Sequence, residues 1–211
     1  MSGAPNGATT EYDFRTIPAS DAYKLMIGTI VPRPIAWVST INAEGKTNLA
    51  PFSFFNGVCS NPPTLMFSIT RQPDGSTKDT LNNIRATKSF VVNVASERLA
   101  KLVNATAETF PPEVSEFEAV GIKTAPSKVV SAPRVKDSPV SMECELDRIV
   151  EIGDGKVGSA CVVFGRIVYF HASEKVCKDG KIAIEELKPL ARLAGFSYCP
   201  VREVFEIRRP K

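Results

Sequence analysis

Residues 76–80 read S-T-K-D-T and carry the densest reactive chemistry of the chain. They follow an apolar run that ends at Ser68, Ile69 and Thr70, with Arg71 next. They precede L-N-N-I-R-A-T-K, in which Leu81 and Ile84 recur at helical spacing. The spacing predicts a helix over 76–88 with a Ser/Thr cap in front. Free backbone N–H groups and the positive end of the helix dipole would then lie beside three hydroxyls (Ser76, Thr77, Thr80) and the Lys78 ammonium, a combination that suits a phosphate. Asp79 can cap the helix or orient Lys78. A capped helix with a solvated lysine has the same sequence, so the residues leave both readings open.

A second candidate is N-L-A-P-F-S-F-F-N-G at 48–57. Ser53, Phe54, Phe55 and Asn56 follow directly on a strand signal, and Gly57 comes next. Hydroxyls and amides beside aromatic rings suit a flat heteroaromatic ligand with large faces and polar edges. A core-aromatic loop would read the same way.

Other chemistries are disfavoured. There is one histidine, His171, in V-Y-F-H-A-S, where it reads as an ordinary strand-end residue. Cys59, Cys144, Cys161, Cys177 and Cys199 form no C-x-x-C pair or zinc spacing, and read as reduced, buried packing residues. G-D-G-K-V-G-S at 153–159 lacks the phosphate-loop pattern and lies between strands, so it reads as a turn. No G-x-G-x-x-G follows a strand, and no metal site is expected.

The elements that must position these residues are mostly strands. Residues 34–41, 47–55, 64–70 and 89–96 carry strand signals. Two long strands, M-E-C-E-L-D-R-I-V-E-I-G and K-V-G-S-A-C-V-V-F-G-R-I-V-Y-F-H-A, are joined through Gly153, Asp154 and Gly155. Helices are expected near 20–26, with Ser20 as its cap, at 76–88, and after Ser96. Residues 105–139, rich in Pro, Ser and Glu, are expected to wrap the surface as irregular chain. Residues 1–12 read as a disordered start and 13–211 as one domain. With no sustained β-α-β alternation, a closed or split antiparallel barrel with peripheral helices fits better than a parallel sheet.

The 211 residues include 26 Lys plus Arg and 23 Asp plus Glu, for a net charge of +3. That scattered excess is too small for a nucleic-acid binder and compatible with an anionic small ligand. No run approaches the roughly 18 apolar residues of a membrane span. No secretory start is evident, so a cytoplasmic location is expected.

The ordered set V-P-R-P-I-A-W-V-S-T-I-N-A-E-G-K-T-N-L-A-P-F-S-F-F-N-G, S-N-P-P-T-L-M-F-S-I, K-D-T-L-N-N-I, S-F-V-V-N-V-A-S and, later, L-A-R-L-A-G-F-S-Y resembles the flavin reductase-like, FMN-binding split-barrel family, particularly its flavoredoxin-like branch. The similarity covers roughly residues 20–200. It implies a mainly β Greek-key split barrel with a few peripheral α-helices, forming a homodimer with FMN near the interface. By position, it assigns to the cofactor Trp37, Ser39 and Thr40, Asn48 with Ser53, Phe54, Phe55 and Asn56, and Ser68, Thr70, Arg71, Lys78, Asp79 and Thr80. Arg192 and Tyr198 are weaker candidates, and glycine is common in the family where Ala194 stands. The resemblance implies an NAD(P)H-dependent flavin reductase passing hydride to flavin N5, with no obligatory protein acid, base or nucleophile. An electron carrier served by a redox partner protein, or a non-catalytic FMN-binding module, would share these motifs.

Overall fold

A computed structural model describes residues 7 and 9–210 of the chain; the expectation for residues 1–12 falls largely outside them. The elements are α1 (Ala19–Thr29), β1 (Arg33–Pro34), β2 (Ala36–Ile41), β3 (Thr47–Phe52), β4 (Phe55–Ser60), β5 (Pro63–Thr70), α2 (Asp79–Thr87) and β6 (Ser89–Val94). A 3₁₀ turn (Glu97–Leu99) then leads into α3 (Ala100–Ala105), followed by α4 (Glu116–Val120), β7 (Thr124–Ala125) and β8 (Arg134–Val135). The remainder is β9 (Val140–Ile152), β10 (Ala160–Ala172), β11 (Cys177–Lys178), β12 (Lys181–Ile182), α5 (Ile184–Leu187), β13 (Leu190–Arg192) and β14 (Tyr198–Pro200).

Seven strands form one antiparallel sheet in the order β3-β2-β6-β9-β10-β5-β4. Its two edges, β3 and β4, are consecutive in the chain and joined only by Ser53 and Phe54. Three Cα steps reach at most about 11 Å, so the sheet must curl until its edges nearly meet. The edges do not pair with each other, which leaves the seam of a split barrel. The mainly β, antiparallel fold expected from the sequence is the fold observed.

Strand periodicity then sorts the side chains. Ala36 and Val38 of β2 point into the barrel with Phe52, Leu65, Phe67, Phe90, Val92 and Val163, and Leu81 and Ile84 of α2 join that core. Phe67 stacks between Phe52 and Phe90, with ring centroids 5.2 and 5.4 Å away. Residues on the opposite face, Ile35, Trp37 and Leu49, form a second core with Leu99, Val103, Phe117, Ile122 and Val135. The segment read as irregular surface chain therefore supplies apolar side chains to a core, and it contains α4, β7 and β8.

A register shift in the β9–β10 ladder falls between Phe164 and Gly165. A Cβ at Gly165 would run into the Phe90 ring, which is fully buried. Gly165→Ala is expected to destabilise the fold by about 1–3 kcal/mol through overpacking, measurable by urea unfolding.

Three helix starts differ from expectation. Pro18, not Ser20, precedes α1 and supplies its entry conformation. Helix α2 begins at Asp79, not Ser76, because P-D-G at 73–75 makes a turn in which the Ser76 N–H bonds Asp74 Oδ1 and Gly75 takes φ 84°. No side chain caps it. Ser96 precedes the 3₁₀ turn, but its buried hydroxyl has no hydrogen-bond partner among the described residues. Among the cysteines, Cys144 and Cys161 are buried as expected, whereas Cys59 is exposed on edge strand β4 and Cys177 and Cys199 are half-buried. Among the described residues, no helix is long and apolar enough to cross a membrane.

Candidate functional site

A cleft of about 80 Å³ opens where three segments meet. Strand β3 contributes Asn48, Ala50 and Pro51, and the head of α2 contributes Lys78, Asp79 and Thr80 with nearby Gln72. The chain leaving α3, from Thr106 to Phe110, and Glu116 of α4 close the third side. The volume suits a phosphate with a short stretch of chain, not a tricyclic ring.

Because α2 has no side-chain cap, its first N–H groups lie at the positive end of the helix without a protein anion on them. Lys78, half-buried at the cap position, has no ion-pair partner among the described residues. Burial pushes the Asp79 carboxyl up, against the opposing pull of Lys78. Burial also raises Glu116, opposed by hydrogen bonds from the Leu49 N–H and Asn48, and the Asp79 charge adds to the rise. Behind the wall, Asn48 Oδ1 accepts from Thr80 Oγ1 at 2.8 Å and from Thr40 Oγ1 at 3.3 Å.

A second group of expected residues gathers at the far end of β3. Arg33 is 5% exposed, and its guanidinium donates to the carbonyls of Ile27, Ile30 and Leu193 and to Ser53 Oγ. It lies 5.8 Å from the Phe54 ring centroid. Its β1 position pairs with Arg192 of β13, whose guanidinium stacks 4.5 Å from the Tyr198 ring. Burial lowers the Arg33 pKa, partly balanced by Tyr23, and the neighbouring Arg192 charge adds to the fall. From Asn48 to Ser53 an extended strand covers roughly 17 Å, so β3 links the cleft to this cationic end.

Several expected residues stand elsewhere. Trp37 and Ser39 are fully buried: Trp37 Nε1 donates to Thr106 Oγ1 at 2.8 Å, and Ser39 Oγ donates to the Pro133 carbonyl at 2.5 Å. The covering segment that seals the outer face of β2 takes both out of a ligand's reach. Thr40 is likewise buried and acts behind Asn48. Phe55 packs against the barrel core, and exposed Asn56 bonds the Gly57 N–H. Ser68 is half-buried and Thr70 exposed on β5, while the Arg71 backbone N–H bonds the Ser159 carbonyl, beside the β9–β10 turn. Arg33, Gln72, Thr106, Phe110 and Glu116 lie outside the set expected from sequence. Of these only Arg33 carries a sequence signal, as the basic residue of R-P-I-A-W.

Residues 27–184 match the family model described as a flavin reductase like domain. The chain belongs to this family. It is 41% identical to YwrF of Bacillus subtilis (strain 168) over 197 residues, covering 92% of this chain and 96% of that protein. Nitrilotriacetate monooxygenase component B from Bacillus cereus has a similar structure, with a TM-score of 0.90 and 38% identity, covering 96% of this chain and all of that one. The Pseudomonas fluorescens 2-nitrobenzoate 2-nitroreductase NbaA follows at a TM-score of 0.86 and 32% identity, covering 95% and 96%. The uncapped head of α2 and the Lys78 ammonium give the cleft donors that would suit the phosphate of a flavin side chain. Lys78 and the head of α2 would hold the phosphate, with Asn48 and Glu116 along the chain.

Proposed function

We propose that the protein is an FMN-binding oxidoreductase, reduced by NADH or NADPH, that acts as a flavin reductase. The observation that carries this reading is the uncapped start of α2 with Lys78, which has no ion-pair partner among the described residues, facing β3 across the cleft. When bound, FMN supplies the hydride-accepting chemistry at N5. The chain's own residues bind and orient: Lys78 and the first turn of α2 anchor the phosphate, and the backbone from Ala50 to Phe54 borders the ring. Arg33 and Arg192 place positive charge at that end, which favours an electron-rich ligand. The covering segment packs Phe117, Ile122 and Val135 against Ile35, Trp37 and Leu49.

The protein works as a homodimer in this reading. No residue of α1 is buried, and Tyr23, Met26, Ile30 and Val31 are exposed on and just after it. The exposed strand β4 adds Val58 to the apolar surface that a second copy would cover.

The purified protein is expected to show flavin bands that bleach within seconds on anaerobic addition of one nicotinamide nucleotide. Bands that persist with both nucleotides but bleach with dithionite would replace the reductase by an electron carrier. A colourless protein that takes up no added FMN would overturn the flavin reading.

A further inference from the structure

Glu116 is 6% exposed on the cleft wall, and a carboxylate can only accept hydrogen bonds. Its Oε1 accepts from Asn48 Nδ2 at 2.6 Å and its Oε2 from the Leu49 N–H at 2.9 Å. Asn48 is two-ended. With its N–H end committed to Glu116, its Oδ1 must face Thr80 and Thr40, and both hydroxyls donate to it. Thr40 in turn accepts from Asn83 Nδ2 at 3.0 Å. The Thr80 and Thr40 hydroxyl hydrogens are therefore both spent on Asn48, as is one of the two Asn48 Nδ2 hydrogens on Glu116. Apart from the second Nδ2 hydrogen of Asn48, these side chains offer lone pairs only. Among the described residues, the remaining charged ones that line the cleft are Asp79 and Glu108, also acceptors, and Lys78, the one cation.

We propose that Glu116 is a positioning residue that sets the hydrogen-bond polarity of this wall, so that it receives the hydroxyl groups of a flavin's ribityl chain and leaves phosphate oxygens to Lys78 and the head of α2. This rests on reading the cleft as the flavin site and assigns the two parts of the side chain to different walls. It also changes the expected role of Thr80, from phosphate donor to a hydroxyl whose hydrogen is already used.

The test compares FMN, riboflavin and lumiflavin, which lacks the ribityl chain, by fluorescence titration of the full-length protein. Wild type should bind riboflavin about tenfold or more tighter than lumiflavin, the worth of one or two satisfied hydrogen bonds. Glu116→Gln puts an N–H donor opposite Asn48, forces that amide to turn and reverses the bond to Thr80. FMN and riboflavin should then each weaken about tenfold, with lumiflavin unchanged. The reciprocal double variant Asn48→Asp, Glu116→Gln restores donor facing acceptor throughout, and should recover riboflavin binding to within about threefold of wild type. Equal losses for all three flavins, unchanged riboflavin affinity in Glu116→Gln, or no recovery in the double variant would overturn the assignment. If Glu116→Gln does not fold, equal wild-type affinities for riboflavin and lumiflavin overturn it alone. Wild type that binds no flavin would defeat the reading of the cleft itself, a result distinct from these.

Discussion

Glu143→Ala is expected to cost the fold about 3–5 kcal/mol, the range for removing a buried, fully hydrogen-bonded carboxylate and stranding its partners. Glu143 lies on β9 and is fully buried. Its carboxylate accepts from three successive backbone N–H groups, those of Lys128 at 2.6 Å, Val129 at 2.6 Å and Val130 at 3.0 Å. The fourth partner is His171 on β10, whose Nε2 stands 2.6 Å from Oε1. The loop between β7 and β8 is thereby latched onto the sheet, and with it the segment that carries Glu116 and the cleft wall. Alanine leaves four polar groups without their acceptor, whereas glutamine keeps the volume but turns an amide N–H toward donors. Both variants should therefore weaken flavin binding as well as stability.

The same carboxylate makes a pH signature. Burial pushes its pKa up, but the His171 bond and the three N–H groups outweigh that and hold it at about 2, against 4.5 for an ordinary glutamate. A depressed folded-state pKa means that the stabilisation is fully present above pH 4.5 and drains away as pH falls toward 2. The difference corresponds to about 3 kcal/mol. Urea unfolding between about pH 5 and pH 2 should show a shallower loss of stability in Glu143→Gln than in wild type. Parallel curves would show that the latch does not carry this charge energy.

Glu143 also marks what the sequence can and cannot reveal. The barrel strands are legible because Ala36, Val38, Phe90 and Val92 sit at period two, and the long hairpin because G-D-G has turn chemistry. The lining at Asn48, Lys78, Asp79 and Thr80 is legible because residue type and neighbourhood in sequence coincide there. The burial of Trp37 is not, because a strand's alternation tells two faces apart without telling what covers each. The cover comes from residues 99–135, whose Pro, Ser and Glu content hides Phe117, Ile122 and Val135. Glu116 and Glu143 stay invisible for a related reason. A buried glutamate differs from a surface one only through partners 68 and about 14 residues away, and pairings at such separations leave no local pattern.

Lys78→Ala is expected to weaken FMN binding by roughly 10- to 100-fold and to leave riboflavin within about threefold, since a charge-assisted hydrogen bond contributes about 1.5–3 kcal/mol. Among the described residues, Lys78 is the sole cation lining the cleft, which also includes the carboxylates of Asp79, Glu108 and Glu116. Without the ammonium, a phosphate entering the cleft meets negative charge, with only the N–H groups at the head of α2 in its favour. Lys78→Arg should recover part of the loss, because it keeps the charge but not the ammonium's compact shape. Salt provides an independent check: raising ionic strength should weaken FMN binding to wild type more than to Lys78→Ala, and should leave riboflavin nearly unaffected in both. Equal losses of FMN and riboflavin in Lys78→Ala would mean that the lysine supports the cleft's shape rather than the phosphate. The phosphate would then have to lie at the other cationic end of β3, beside Arg33 and Arg192.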